Sequence, residues 1–357
     1  MRTLMLPPDA TPRAWGELHG ETFRYEIQAL AELREWLSLE IGRFESAAQL
    51  REIAAAHLPA LEAYDPALYQ ELCGIAAGAA IDPALVVILN HYTDLRDIVP
   101  DEAVGDEGCS ILYDRTPEGA VLAQTWDMHA SAIPYALMLN VPATDAGPEA
   151  WVLSLTGCVG MAGMNTAGVG VSINNLRSTD ARVGVVWPAL VRRALRAQRV
   201  EEARDTILQA PIGSGHHYMV ASAEGAYGIE TSGQLRKVIY AGEATPYVHT
   251  NHCLDPEVAA CSAVSAASST QERFSLLSES LARSPLTRPA DAWIHLGSHE
   301  GYPRSVCSNL ATPQNPHASA TCSAISMDLG RRRVYAAEGF IHAVPAQPFP
   351  FREVGGG

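Results

Sequence analysis

The spacing of apolar residues changes once along this chain, near residue 108, and that change limits the fold more than any single motif does. Before it, apolar residues recur at helical intervals. Phe23, Ile27, Leu30, Leu33 and Leu37 fall on one helix face. Thr11-Pro12 offers an N-cap followed by a proline at the first helical position. Ser46 with Gln49 three residues on reads as a capping box for a second helix through Leu58, and 66–77 and 82–92 read as two more. After it, apolar runs are short and bounded by turn residues, which is the texture of strands. Segments 109–113 and 120–126 are expected to form a hairpin around Thr116-Pro117-Glu118-Gly119. Segments 151–156 and 169–173 read as strands, 217–222, 226–231 and 235–240 as a meander, and 321–328 with 333–337 as a last hairpin. Segment 188–209 reads as one amphipathic helix with its arginines on the wet face, and a further helix is expected near 271–282. The run 259–270 reads as a loop or an ill-defined helix start. Between the two textures, residues 100–108 are acidic, glycine-bearing and aperiodic, so an exposed loop is expected there. The strands need helices to cover their outer faces, which favours one compact α+β unit over two domains.

Composition narrows the partners. The formal net charge of −15 repels phosphate backbones and anionic lipid headgroups, so neither nucleic acid nor membrane is an expected partner. No apolar stretch approaches the roughly 18 residues needed to cross a bilayer. The first residues, Met1-Arg2-Thr3-Leu4-Met5-Leu6-Pro7-Pro8, lack the apolar length of a signal peptide. Seven scattered cysteines without a CxxC pair fit reduced thiols better than a disulfide framework. A cytoplasmic enzyme without a cofactor is expected.

Four places carry chemistry. Gly108-Cys109 stands where the loop enters the first strand, so Cys109 is either an inert buried side chain or a nucleophile. Trp126-Asp127 ends the partner strand, and closing the hairpin brings Asp127 to Cys109. There Asp127 either closes a strand or orients an amine. Asn174-Asn175 ends the strand of 169–173, where amide dipoles can face an oxyanion or merely start a turn. His249-Thr250-Asn251-His252 follows an apolar strand. Its two histidines invite a metal, but residues three apart on a strand point to opposite faces, and no further ligand cluster is evident. His216-His217 likewise point apart on a strand, so one is expected to be buried. Glu230 is expected to pair with Arg273 or Arg304, and Cys158 and Cys307 to serve packing.

The ordered set Gly108-Cys109-Ser110, Trp126-Asp127, the 165–176 stretch, His249 to His252, and Tyr302-Pro303-Arg304-Ser305-Val306-Cys307 resembles the isopenicillin N acyltransferase family of self-processing N-terminal nucleophile hydrolases. The resemblance runs from about residue 10 to 340. A more distant similarity connects the chain to choloylglycine hydrolases. The resemblance implies a four-layer αββα sandwich and a precursor that cuts itself between Gly108 and Cys109. Fragments 1–108 and 109–357 then form a self-derived heterodimer. It implies Cys109 as nucleophile, Asp127 as the residue positioning its amine, Asn251 as a side-chain oxyanion donor, and Asn175 as a main-chain one. Trp126, His129, Arg304 and Ser308 are candidates for the substrate pocket. Trp126 also reads as core and His129 equally as a surface residue, while Ser308 stands where the family usually has an arginine, a place the nearby Arg304 either takes or leaves empty.

The chemistry follows from ionisation. A cysteine thiol with pKa near 8.5 is only a few per cent ionised at pH 7 and needs a base. An α-amine with pKa about 8 is suited to proton exchange at that pH, and it exists on Cys109 only after the preceding peptide bond is broken. The expected activity is cleavage of an amide, or transfer of an acyl group from a small amide or thioester, through an acyl-cysteine. The competing expectations are a metal-dependent hydrolase using His249 and His252, and a non-catalytic binding protein of the same fold. No metal is expected on the main reading.

Overall fold

The computed structural model describes residues 1–41, 44–98, 108–242 and 245–352. The loop expected over 100–108 lies outside the described residues except for Gly108. A first strand, β1 (Arg2–Met5), is followed by helices α1 (Pro12–Thr22), α2 (Arg24–Ile41), α3 (Ala47–Ala55), α4 (His57–Tyr64), α5 (Pro66–Ala79), α6 (Pro83–Asn90) and α7 (Tyr92–Ile98). The caps are those the residue types call for. Thr11 accepts from the Ala14 N–H, Asp65 from Leu68 and Asp82 from Ala84, each just ahead of a proline. Ser46 caps α3, but the Gln49 side chain reaches the N–H of Glu45, one residue before the expected partner. The helix expected through Leu58 instead breaks at Ala56 into α3 and α4. Helices α1 and α5 cross closely because glycines face each other. A Cβ on Gly16 would sit 2.0 Å from the carbonyl oxygen of Glu71.

Strands dominate from Cys109 on. They are β2 (Cys109–Thr116), β3 (Gly119–His129), β4 (Ala136–Val141), β5 (Ala150–Leu155), β6 (Ala162–Asn165) and β7 (Gly170–Asn175). Helices α8 (Trp187–Ala194) and α9 (Val200–Leu208) come next, then β8 (His216–Ala221), β9 (Ala226–Thr231), β10 (Arg236–Tyr240) and β11 (Tyr247–His249). The chain closes with α10 (Pro256–Ala259), α11 (Thr270–Arg283), α12 (Ala292–Leu296), β12 (Ser319–Asp328), β13 (Arg333–Glu338) and β14 (Gln347–Phe349). The single helix expected over 188–209 is thus two helices, and its arginines are not all on a wet face. Arg192 is buried and gives both Nη atoms to Glu71 of α5, at 2.8 and 2.9 Å. A charged residue on the dry side needs such a partner, and no periodicity in the sequence reveals one.

The strands form two sheets, ordered β1-β4-β5-β6-β7-β8-β9-β10 and β11-β2-β3-β12-β13-β14. All pairings are antiparallel except β1 with β4. Alternation along β2 assigns its faces: Ile111 and Tyr113 join the large core between and behind the sheets. Leu112 packs outward with Val121 and Ala123 of β3 against Leu277 and Leu281 of α11 and Leu296 of α12. Helices α8 and α9 lie on the eight-stranded sheet, and the N-terminal helices join the same core. The architecture is a four-layer αββα sandwich. Gln124, buried at an inward position of β3, stitches the sheets by accepting the Ile173 N–H of β7 at 3.0 Å. No single described helix is long and apolar enough to cross a membrane.

Candidate active site

Cys109 opens β2, and the hairpin register puts it opposite Trp126. One residue earlier the ladder continues: Asp127 donates its N–H to the Gly108 carbonyl at 2.7 Å, and Gly108 returns a longer bond of 3.3 Å. Antiparallel pairing alone therefore brings Asp127 to the Gly108–Cys109 peptide. A Cβ on Gly108 would lie 2.9 Å from both Asp127 Oδ2 and Arg273 Nη2, so only glycine leaves this carboxylate and guanidinium undisturbed.

Three further residues reach the peptide from distant segments. The Cys109 N–H donates to Asn251 Oδ1 at 2.8 Å. Arg273 of α11 gives Nη1 to the Cys109 carbonyl at 2.9 Å and to Ser110 Oγ at 3.0 Å, and Nη2 to Asn251 Oδ1 at 2.9 Å. Because the Cys109 N–H and the guanidinium can only donate, they fix the orientation of the Asn251 amide. Its nitrogen donates one proton to the Asn175 carbonyl at 3.0 Å. Asn174 Nδ2 completes the set with a 3.0 Å bond to the Cys109 carbonyl.

Asn174 is itself held from behind. Its Oδ1 faces Nδ1 of both His217 and His249, each at 3.0 Å, and the two rings stack with centroids 3.7 Å apart. His249 Nε2 faces Glu230 Oε1 at 2.9 Å, while the Leu254 and Asp255 N–H groups donate to the two Glu230 oxygens. Those two main-chain donors fix the carboxylate where His249 Nε2 meets it. The Glu230 partner is therefore His249, not Arg273 or Arg304. Both His216 and His217 are buried, where one was expected to be.

Burial, then the Asp127 carboxylate, push the Cys109 thiol up to about 12. The Arg273 guanidinium and the main-chain N–H groups of Asp127 and Asn175 pull the other way. The cavity beside the thiol measures about 30 Å³, enough for a water or two. Gly108, Trp126, Asp127, Asn175, His216 and Asn251 are among its walls.

Not every expected residue comes to this place. Arg304 is half-buried on a separate groove, paired with Glu272 at 2.9 Å and bonded to the Ser268 carbonyl at 2.6 Å, and does not line the cavity beside Cys109. His129 is buried against Ser131 and Tyr92 and is not a cavity wall; its neighbour Met128 is. Ser308 exchanges bonds with Thr321 of β12 and likewise does not line the cavity. The metal reading at His249 and His252 fails on geometry. Both His249 nitrogens are committed, and His252 Nδ1 faces the hydroxyls of Thr250 and Thr270. The residue missed as a site residue is Arg273, and its signal was present. It occupies the stripe of Leu277 and Leu281 at four-residue spacing, where a cation is out of place unless paired.

The family model for acyl-coenzyme A:6-aminopenicillanic acid acyl-transferase matches residues 115–331. The 40 kDa form of acyl-coenzyme A:6-aminopenicillanic-acid-acyltransferase from Emericella nidulans is 28% identical over 246 residues, 68% of each chain. Among solved structures, a mutant of conjugated bile acid hydrolase from Clostridium perfringens aligns with a TM-score of 0.48 at 10% identity. That alignment covers 69% of this chain and 97% of the other. The Caenorhabditis elegans ortholog of N-acylethanolamine-hydrolyzing acid amidase aligns with a TM-score of 0.43 at 14% identity, covering 62% and 93%.

Proposed function

The chain belongs to the acyl-coenzyme A:6-aminopenicillanic acid acyl-transferase family, an enzyme of acyl transfer or amide cleavage acting on a small acyl substrate, and we propose that it works through Cys109 after cutting itself at Gly108–Cys109. The observation that carries the proposal is the clamp on that one peptide bond. Its carbonyl oxygen is held by the Asp127 N–H at 2.7 Å and its nitrogen by Asn251 Oδ1 at 2.8 Å, with the thiol of the same residue beside it.

In the first step Sγ attacks the Gly108 carbonyl carbon, the C–N bond breaks, and the thiol proton ends on the departing nitrogen. Water then hydrolyses the thioester, leaving a carboxylate on Gly108 and an amine and thiol on Cys109. The new amine inherits the Asn251 Oδ1 contact and the nearby Asp127 carboxylate, which orient it and favour its protonated form. Cleavage also removes Gly108 as a wall. A cavity of about 30 Å³ is far below the roughly 300 Å³ of a small-molecule site, so an acyl chain needs the wider space that the loss of this wall opens.

In the second step the amine, now next to its own thiol, takes the thiol proton while Sγ attacks the substrate carbonyl. The second proton on Asn251 Nδ2 and the Asn175 N–H are the donors for the oxyanion, each worth about 2.7–4 kcal/mol in such sites. The amine returns the proton to the leaving group, and water or a second amine takes the acyl group. Arg273 and Asn174, both on the Cys109 carbonyl, position the nucleophile without touching the reacting atoms. A panel of N-acyl amines and acyl thioesters tests the reading. A substrate that turns over should leave an acyl adduct on the peptide that begins at Cys109, and Cys109→Ala should abolish both turnover and adduct. Turnover unchanged in Cys109→Ala rejects it.

A further inference from the structure

Among the described residues, one group of histidine, cysteine or carboxylate side chains has its ligand atoms drawn together, and the site above does not use it. His299, Cys307 and His342 place one atom each within 4.8 Å of one another. They come from two separate stretches: His299 and Cys307 from the connection between α12 and β12, and His342 from the turn after β13. The His299 and His342 rings meet at 79° with centroids 4.1 Å apart. His299 Nε2 is buried without a hydrogen-bond partner, an arrangement that costs free energy unless something accepts it. Cys307 is buried, and its main-chain N–H is bonded to the Ser298 carbonyl, which closes that connection back toward His299.

We propose that His299, Cys307 and His342 bind a zinc ion, with the fourth position open to solvent on the side of the exposed His342. Two imidazoles and a thiolate match the borderline-soft character of zinc, and three protein ligands with an open position is one of its two usual arrangements. The Thr321 hydroxyl and the main-chain N–H groups of His342 and Ile341 stand within hydrogen-bonding reach of the Cys307 sulfur. On binding, the ion replaces the Cys307 thiol proton, which goes to solvent, so affinity rises with pH. The ion would pin the 299–307 stretch to the turn after β13 on the outer side of the six-stranded sheet.

The test is metal content and spectrum of the full chain, read without any activity. After exposure to excess zinc and gel filtration, plasma mass spectrometry should find about one ion per chain. Cobalt in its place should show a sulfur-to-metal charge-transfer band. His342→Ala removes an exposed ring, leaves the fold intact by circular dichroism, and should weaken retention about tenfold or more. Cys307→Ser should abolish the charge-transfer band. Substoichiometric retention in the parent chain overturns the proposal, as does retention that His342→Ala leaves unchanged. Retention lost only in Cys109→Ala also overturns it, because the ion would then belong to the other thiol.

Discussion

At the scale of single residues, the account turns on a thiol that the fold keeps protonated. Burial and Asp127 raise Cys109 to about 12, so its anion is scarce at neutral pH, and each unit of added pH raises that fraction about tenfold. Self-cleavage of freshly refolded chain, followed by mass spectrometry, should therefore speed up steadily with pH and show no plateau near 8.5. A plateau there would mean an ordinary, solvated thiol. Turnover by the cut enzyme should instead level off near the pKa of an α-amine, about 8, because the base has changed. Arg273 makes a second residue-scale case. It donates to the Cys109 carbonyl, Ser110 Oγ and Asn251 Oδ1 through a planar fork, which lysine cannot reproduce. Arg273→Lys should slow self-cleavage about as much as Arg273→Ala does, and both should lower stability by about 2 kcal/mol or more in urea melts. Rescue by lysine would reduce Arg273 to a point charge.

At the scale of elements, the α1–α5 crossing depends on the absence of side chains. Gly16→Ala puts a methyl group 2.0 Å from the Glu71 carbonyl oxygen and forces the helices apart, a cost of about 1–3 kcal/mol. A thermal melt checks this, and an unchanged midpoint would mean that the crossing relaxes freely. Elements also show how much of this molecule can be read from its sequence. The β2–β3 hairpin, the β8–β10 meander and the β12–β13 hairpin were legible because alternation and turn residues are local signals. The pairing of Asp127 with Gly108 came with the first of them. β1, β4, β6 and β14 were not, being only three to six residues long with no pattern of their own. The burial of Arg192 was not legible, because it looks like a surface residue until Glu71 is seen beside it. Arg304 was chosen for its place next to a motif, whereas Arg273, 31 residues earlier, is the cation that space brings to Cys109. That Asn174 would meet His217 and His249 was not legible, since three separate strands, β7, β8 and β11, bring them together.

At the scale of the whole molecule, the proposed cut falls inside one core. On its N-terminal side, β1 is an edge of the eight-stranded sheet. Glu71 holds Arg192, Asn90 bonds the Gly157 carbonyl and the Val159 N–H, and His19 accepts the Gly157 N–H. Fragments 1–108 and 109–357 should therefore co-migrate in native gel filtration and part only in denaturant, and separation under native conditions would contradict the packing. Breaking one buried pair by Glu71→Gln should cost about 3–5 kcal/mol and lower the denaturant midpoint of the fragment pair. The central claim is that the base for the thiol is the amine of Cys109 itself, born when the chain is cut. Intact mass of purified protein beside its turnover tests this most directly. Active preparations should contain the two fragments, with Cys109 at the start of the larger, and Cys109→Ala should give one inactive chain. A preparation that turns over substrate with its Gly108–Cys109 bond intact would contradict the account.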